Sequence, residues 1–461
     1  MPIVAAVAVP HPPIILPEVG HGEEKKIQKT IDAYRTVMER AAVLQPDTVV
    51  VTSPHSVMYA DYFHISPGKG ARGDFAQFRA PEVEVRAEYD EAFAAALSKR
   101  CQDASLPAGT LGERNPALDH GTLIPLRFLQ EHKLDCKVVR IGLSGLPARD
   151  HYALGQQIAA ASEELGRRVF LIASGDLSHK LKEDGPYGFA EEGPKFDALV
   201  MRAMGEGDFL SLLEVDADLA EGAAECGLRS FWIMAGAMDG RKTRTEALSY
   251  EGPFGVGYGV VWVQPEGADA SRNIGEQFRA RQRERMERRK AGEDAYVRLA
   301  RLSLETFVKT REYAPLPENL PDELAGRQAG AFVSLKKDGN LRGCIGTIQP
   351  VQGSLAEEIL RNAVSAGLHD PRFSPVQPEE LPDLVYSVDV LGEPEPIDSP
   401  KELDVHRYGV IVQCGNRRGL LLPDLAGVDT VEQQIGIARK KGNIRPEEKV
   451  QLWRFEVVRH H

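Results

Sequence analysis

The sequence predicts an α/β domain with a central mixed sheet, followed by a smaller α+β domain. Three observations carry this. Short β-branched runs alternate with helix-period segments through the first half, the composition changes at Gln264, and a different order of strands and helices follows. At 461 residues the chain exceeds one ordinary core, and 42% hydrophobic with 27% charged residues is globular composition.

The first domain spans residues 1–263. Ile3–Val9 is an apolar run of strand type, and Glu23–Leu44 repeats Ile27, Ile31, Tyr34, Val37, Met38 and Ala41 at helical steps. Pro46-Asp47 breaks that helix, and Thr48–Thr52 (TVVVT) reads as a buried strand. The same grammar returns as a strand at Cys136–Leu143, a helix over Asp150–Leu165 and a strand at Val169–Ala173. Helices follow at Phe196–Met204 and Leu228–Met238, then strands at Thr245–Tyr250 and Gly255–Val263. Residues 264–290 are charged and without a strand pattern, which reads as a linker. The second domain, 291–461, opens with a helix at Ala295–Val308 and strands at Ala331–Leu335 and Gly343–Ile348. A helix at Ser354–Ala366 precedes strands at Val385–Leu391, Val410–Cys414 and Gly419–Leu422, a helix at Thr430–Arg439 and a strand at Val450–Val457.

Composition narrows the function. A net charge of −12 argues against nucleic acid, and the basic run Arg279–Lys290 is read as a solvated helix. No run approaches the ~18 apolar residues of a membrane helix. The opening MPIVAAVAVPHPPIIL lacks a basic n-region and reads as a buried strand and loop, not a signal peptide. Five scattered cysteines without a CxxC pair suit a reducing cytoplasm and exclude a disulfide framework. A cytoplasmic protein is the expectation, with a homo-oligomer compatible with the composition.

Histidine placement is the strongest chemical signal. His11 follows the first strand in VPHPP, His55 follows TVVVT in SPHS, and His179 follows VFLIAS in SGDLSH. His120 stands in LDHGT at the start of a helix. Open α/β sheets bind ligands beyond the carboxyl ends of their strands, so these histidines are placed to converge on one crevice. Two histidines and a carboxylate make the facial triad of non-haem iron(II) enzymes. The candidate third ligands are the neighbours Glu225 and Cys226 in AAECGLRSFW. On a helix they point about 100° apart, so only one faces a metal. Glu225 favours iron and oxygen, whereas Cys226 favours a softer ion.

VPHPP, TSPHS, LDHGT and SGDLSH, in that order, resemble the class III extradiol dioxygenase (LigB-type) superfamily, which includes the Memo proteins. The resemblance implies that His11 and His55 are metal ligands, that Glu225 falls near the metal carboxylate, that His179 is the acid–base histidine and that His120 is a second active-site histidine. It implies Fe(2+), with Zn(2+) or another divalent metal as the alternative, and a small catechol-like aromatic substrate. The Memo branch instead places a cysteine before glycine, which Cys226-Gly227 also fits. A zinc hydrolase and a Memo-like metal-binding adaptor are the alternative functions.

In the second domain, LRGCIGT (Leu341–Thr347) and HDPRFSPV (His369–Val376) resemble the AMMECR-one domain family. Fusion of the two domains resembles the AmmeMemoRadiSam systems and implies a radical S-adenosylmethionine enzyme as a separate partner. From the residues alone, Cys344 reads as a small buried thiol beside glycine kinks, with a nucleophile paired to His369 as the alternative.

Overall fold

The computed structural model describes residues 2–425 and 427–461. The chain divides into two compact units, Met1–Arg281 and Gln282–His461. In chain order the main elements of the first are β1 (Ile3–Val9), α1 (Gln28–Leu44), β2 (Thr48–Ser53), β3 (Gly70–Phe75), β4 (Ala80–Glu88), α2 (His120–Gln130), β5 (Lys137–Gly142), α3 (Ala148–Leu165), β6 (Val169–Ser174), α4 (Glu192–Glu206), α5 (Leu228–Ala237), β7 (Arg241–Glu251) and β8 (Tyr258–Ala268).

The central sheet runs β5-β2-β6-β1-β8-β7. Its first four strands are parallel, and β8 and β7 are antiparallel to their neighbours. Every residue of β1, β2 and β6 is buried because both faces are covered. Ala5, Val7 and Val9 pack toward α1 and α2, while Ala6 and Ala8 pack toward α3, α4 and α5. This is the mixed-sheet α/β fold that the strand–helix alternation predicts.

Two features differ from the sequence reading. The β3–β4 hairpin was not anticipated, because β4 (APEVEVRAE) carries charges on its alternate, exposed positions and has no apolar run. Within the segment 264–290, β8 continues to Ala268 against β7, a strand that the sequence does not show, while α6, from Ile274 to Gly292, contains the solvated helix read at Arg279–Lys290. Ile274 and Phe278 bury the first turn of α6 in the first unit's core, while the rest of the helix is polar.

The second unit contains α7 (Ala295–Thr310), β9 (Ala331–Lys337), β10 (Asn340–Gly346), α8 (Leu355–Leu368), β11 (Leu384–Leu391), β12 (Glu395–Ile397), β13 (Tyr408–Cys414), β14 (Arg417–Leu421), α9 (Val431–Lys441) and β15 (Gln451–His460). Its antiparallel sheet runs β10-β9-β11-β15-β13-β14, with β12 also on β15. Helices α7 and α8 close one face through Val297, Leu304, Ile359 and Ala363 against Val333, Leu335 and Val388. Among the described residues, no helix is long and apolar enough to cross a membrane.

Candidate metal centre

The parallel order β2-β6-β1 places three loops side by side at the carboxyl edge of the sheet, and these loops carry His55, His179 and His11. A fourth, at the start of α2, brings His120: its ring centroid lies 4.1 Å from that of His55 and 5.4 Å from that of His11. The structure therefore gathers all four histidines.

His11 is buried, and its ring is held at Nδ1. Nδ1 lies 2.9 Å from Ser174 Oγ, while the Ser174 hydroxyl donates to the Gly121 carbonyl at 2.6 Å. With that hydrogen committed, Ser174 accepts from Nδ1–H, leaving Nε2 as a lone pair. Nε2 faces His55 Nε2 at 3.0 Å and Cys226 Sγ at 3.6 Å. The three donor atoms all lie within 4.8 Å of one another. Tetrahedral N and S ligands at ~2.0–2.3 Å from a metal lie roughly 3.3–3.7 Å apart, so one divalent ion fits this set.

Glu225 points elsewhere. Its carboxylate accepts the Leu228 N–H at 2.6 Å, completing the first turn of α5. Ala224, with φ at 52°, turns the chain just before it, and Cys226 is the neighbour left facing the histidines. The adjacent pair is thus divided between helix capping and the site, with the thiol on the site side. Close backbone packing makes this arrangement: a Cβ on Gly175 would lie 2.1 Å from Gly227 Cα, so only glycine lets the β6 loop meet the Cys226 loop.

Asp176, inside SGDLSH but not singled out from the sequence, joins the two loops. It accepts the His11 backbone N–H at 2.8 Å, its own N–H donates to Cys226 Sγ at 3.3 Å, and Oδ2 lies 4.0 Å from His179 Nε2. Asp176, His179 and Cys226 form a second group of donor atoms within 4.8 Å. The available signal was a carboxylate at a strand end three residues before a histidine; its main partner, 165 residues away, is not visible in the chain order. Asp119, in LDHGT, makes a similar tie. It caps α2 by accepting from Thr122 N and receives the Ser53 hydroxyl at 2.5 Å, tying the His120 helix to the His55 strand.

The electrostatics follow from enclosure. Burial, then the neighbouring His55, draws His11 down to about 3; burial with His55 and His11 does the same to His120. Burial also lowers His55 and His179, so all four imidazoles are neutral near pH 7. Burial raises Asp176 to about 6 and Glu225 to about 7. Burial, with Asp176 and Glu225 beside it, pushes the Cys226 thiol well up, so its thiolate needs a cation to form. Aromatic rings flank the two outer histidines: Tyr187 stacks on His179 at 5.1 Å and Phe78 meets His120 at 5.4 Å.

Residues 5–261 match the family described as the catalytic LigB subunit of aromatic ring-opening dioxygenase, and the chain belongs to that family. Residues 297–460 match the AMMECR1 family. Protein CA_C1420 of Clostridium acetobutylicum is 41% identical over 460 residues, spanning 98% of both chains. A Thermotoga maritima protein is 51% identical over 172 residues, covering 37% of this chain and 98% of its own. Among solved structures, protein PH0010 from Pyrococcus horikoshii aligns with 36% of this chain and 88% of its own, at 33% identity and a TM-score of 0.34. Protein JW3007 from Escherichia coli aligns with 56% of this chain and 99% of its own, at 18% identity and a TM-score of 0.38.

Proposed function

We propose that the first unit is a metal-dependent oxygenase acting on a catechol-like or related small aromatic, with one divalent ion held by His11, His55 and Cys226. The observation that carries the oxygenase reading is the match of residues 5–261 to the ring-opening dioxygenase family, and the convergence of two imidazole nitrogens and one thiol sulfur at the carboxyl edge of the sheet supports the ion. Iron(II), when bound, supplies Lewis acidity toward substrate oxygens and electrons for dioxygen. The remaining chemistry belongs to side chains. His179, neutral and with Nε2 4.0 Å from Asp176 Oδ2, accepts a substrate hydroxyl proton at Nε2, and its conjugate acid, favoured by the nearby carboxylate, later returns it. His120, held against Phe78, donates a hydrogen bond to negative charge that develops on substrate oxygen. The rings of Phe78 and Tyr187 suit a flat substrate lying between the two histidines.

Cys226 favours a second reading. A thiolate suits zinc better than a carboxylate does, and zinc in this set makes the unit a hydrolase or a metal-binding partner of a radical S-adenosylmethionine enzyme. Anaerobic purification, iron(II) loading and oxygen-electrode screening of catechols separate the two. The oxygenase reading expects iron-dependent oxygen uptake, with His179→Gln lowering kcat by roughly 10²–10⁴-fold while iron content holds. Full iron occupancy with no uptake across the panel would give the ground to the second reading.

A further inference from the structure

Cys226 Sγ belongs to two sets of donor atoms, and the ion proposed above uses only one of them. Beside the set of His11, His55 and Cys226, the donor atoms of Asp176, His179 and Cys226 also lie within 4.8 Å of one another. Among the described residues these are the two such groups, and they meet at the sulfur. His11 Nε2 approaches it at 3.6 Å, and the Asp176 N–H reaches it at 3.3 Å. Asp176 Oδ2 and His179 Nε2 are 4.0 Å apart. Neighbouring ligands of a tetrahedral ion lie roughly 3.3–3.7 Å apart, so a shift of a few tenths of an ångström brings this pair onto one ion.

Charge gives an independent indication. Asp176 is buried, and among the described residues no lysine or arginine pairs with it. Its Oδ1 accepts the His11 backbone N–H at 2.8 Å, which leaves Oδ2 on the His179 side. Buried carboxylates are paired with a cation or ligate a metal, and the only ion-pair distance Asp176 makes is to a neutral imidazole. The thiol beside it becomes a second anion once metal-bound. A thiolate sulfur has more than one lone pair and can join two ions. At ~2.3 Å from each, it holds them within about 4.6 Å, which accommodates the roughly 3.5–4 Å of two-ion centres.

We propose that the centre has a second cation site, formed by Asp176 Oδ2 and His179 Nε2 with Cys226 Sγ shared, which takes zinc(II) once the first set is filled. It is the weaker of the two, because the first ion has already partly neutralised the thiolate and two dications repel across a few ångströms. Its consequence rests on the reading of His179 given above. An ion on Nε2 takes the lone pair with which His179 accepts a proton, so excess zinc stops acid–base work there without displacing the ion on His11 and His55.

Anaerobic zinc(II) titration of intact chains, read by native mass spectrometry, tests the site without a substrate. The wild type should take one ion at one equivalent and a second in excess. His179→Ala should stop at one, and His55→Ala should also keep one, most of which is lost when His179→Ala is added to it. With cobalt(II) as the probe, the second ion should quench the paramagnetic resonance of the first by coupling through the shared sulfur. A wild type that stops at one ion in excess zinc, a second ion that survives His179→Ala, or two cobalt signals that simply add would overturn the proposal. So would loss of all metal from a His179→Ala chain that keeps its circular dichroism, since His179 would then belong to the first set. These stoichiometries do not depend on oxygen uptake, so failure of the oxygenase reading would show separately.

Discussion

In the proposed metal site, the His11 ring is prepared by groups that would not themselves touch the ion. The Ser174 hydroxyl, committed to the Gly121 carbonyl, makes Nδ1 the protonated nitrogen and turns the Nε2 lone pair toward His55 and Cys226. Ser174→Ala removes that acceptor and should weaken metal binding by about 10–100-fold without changing the ligand set, as read by competition with a chromogenic chelator. The histidines were legible because a strand's carboxyl end is a position that sequence can locate. The division of labour between Glu225 and Cys226 was not. It depends on the turn at Ala224 and on which neighbour caps α5, both set by backbone geometry rather than by residue type. Asp176 was hidden for a related reason, since its main role is to accept a backbone N–H from the distant His11 loop.

Strands and helices carry the site by close approach and by buried polar ties. Asp197 of α4 is one of these: it accepts the Ser178 N–H at 2.8 Å and the Tyr250 hydroxyl at 2.7 Å, joining the β6 loop to β7. Burial raises its carboxyl to about 6, against a hydrogen-bonding contribution that lowers it. The native state therefore holds this proton more tightly than the unfolded chain does. The stability it contributes is complete below about pH 4 and is lost as pH rises toward about 6, by on the order of 2–3 kcal/mol at most. Asp197→Asn should flatten that part of the profile in denaturant titrations between pH 4 and 7; an unchanged slope would remove Asp197 from it. The elements themselves were largely legible, because β1, β2 and β6 are continuous apolar runs and α1 and α3 keep a helical period. Elements that bury only one edge, such as the β3–β4 hairpin and the end of β8, left too weak a pattern.

For the whole chain, the two strand–helix patterns in the sequence correspond to two sheets of different construction, one mixed and one antiparallel. Strand order was not legible, since β6 lies between β1 and β2 only through crossovers that periodicity does not encode. The polar run Arg281–Lys290 offers trypsin several exposed sites near the division at Arg281. Brief digestion should give two fragments that each keep their circular dichroism, whereas rapid loss of both would show that neither unit is stable alone. The proposed metal centre is tested by metal content per intact chain for the wild type, Cys226→Ala and Glu225→Gln, loaded anaerobically with iron(II) and analysed by mass spectrometry. One ion is expected in the wild type and in Glu225→Gln, with most of it lost in Cys226→Ala. Retention in Cys226→Ala with loss in Glu225→Gln would contradict it and return the third ligand to the carboxylate.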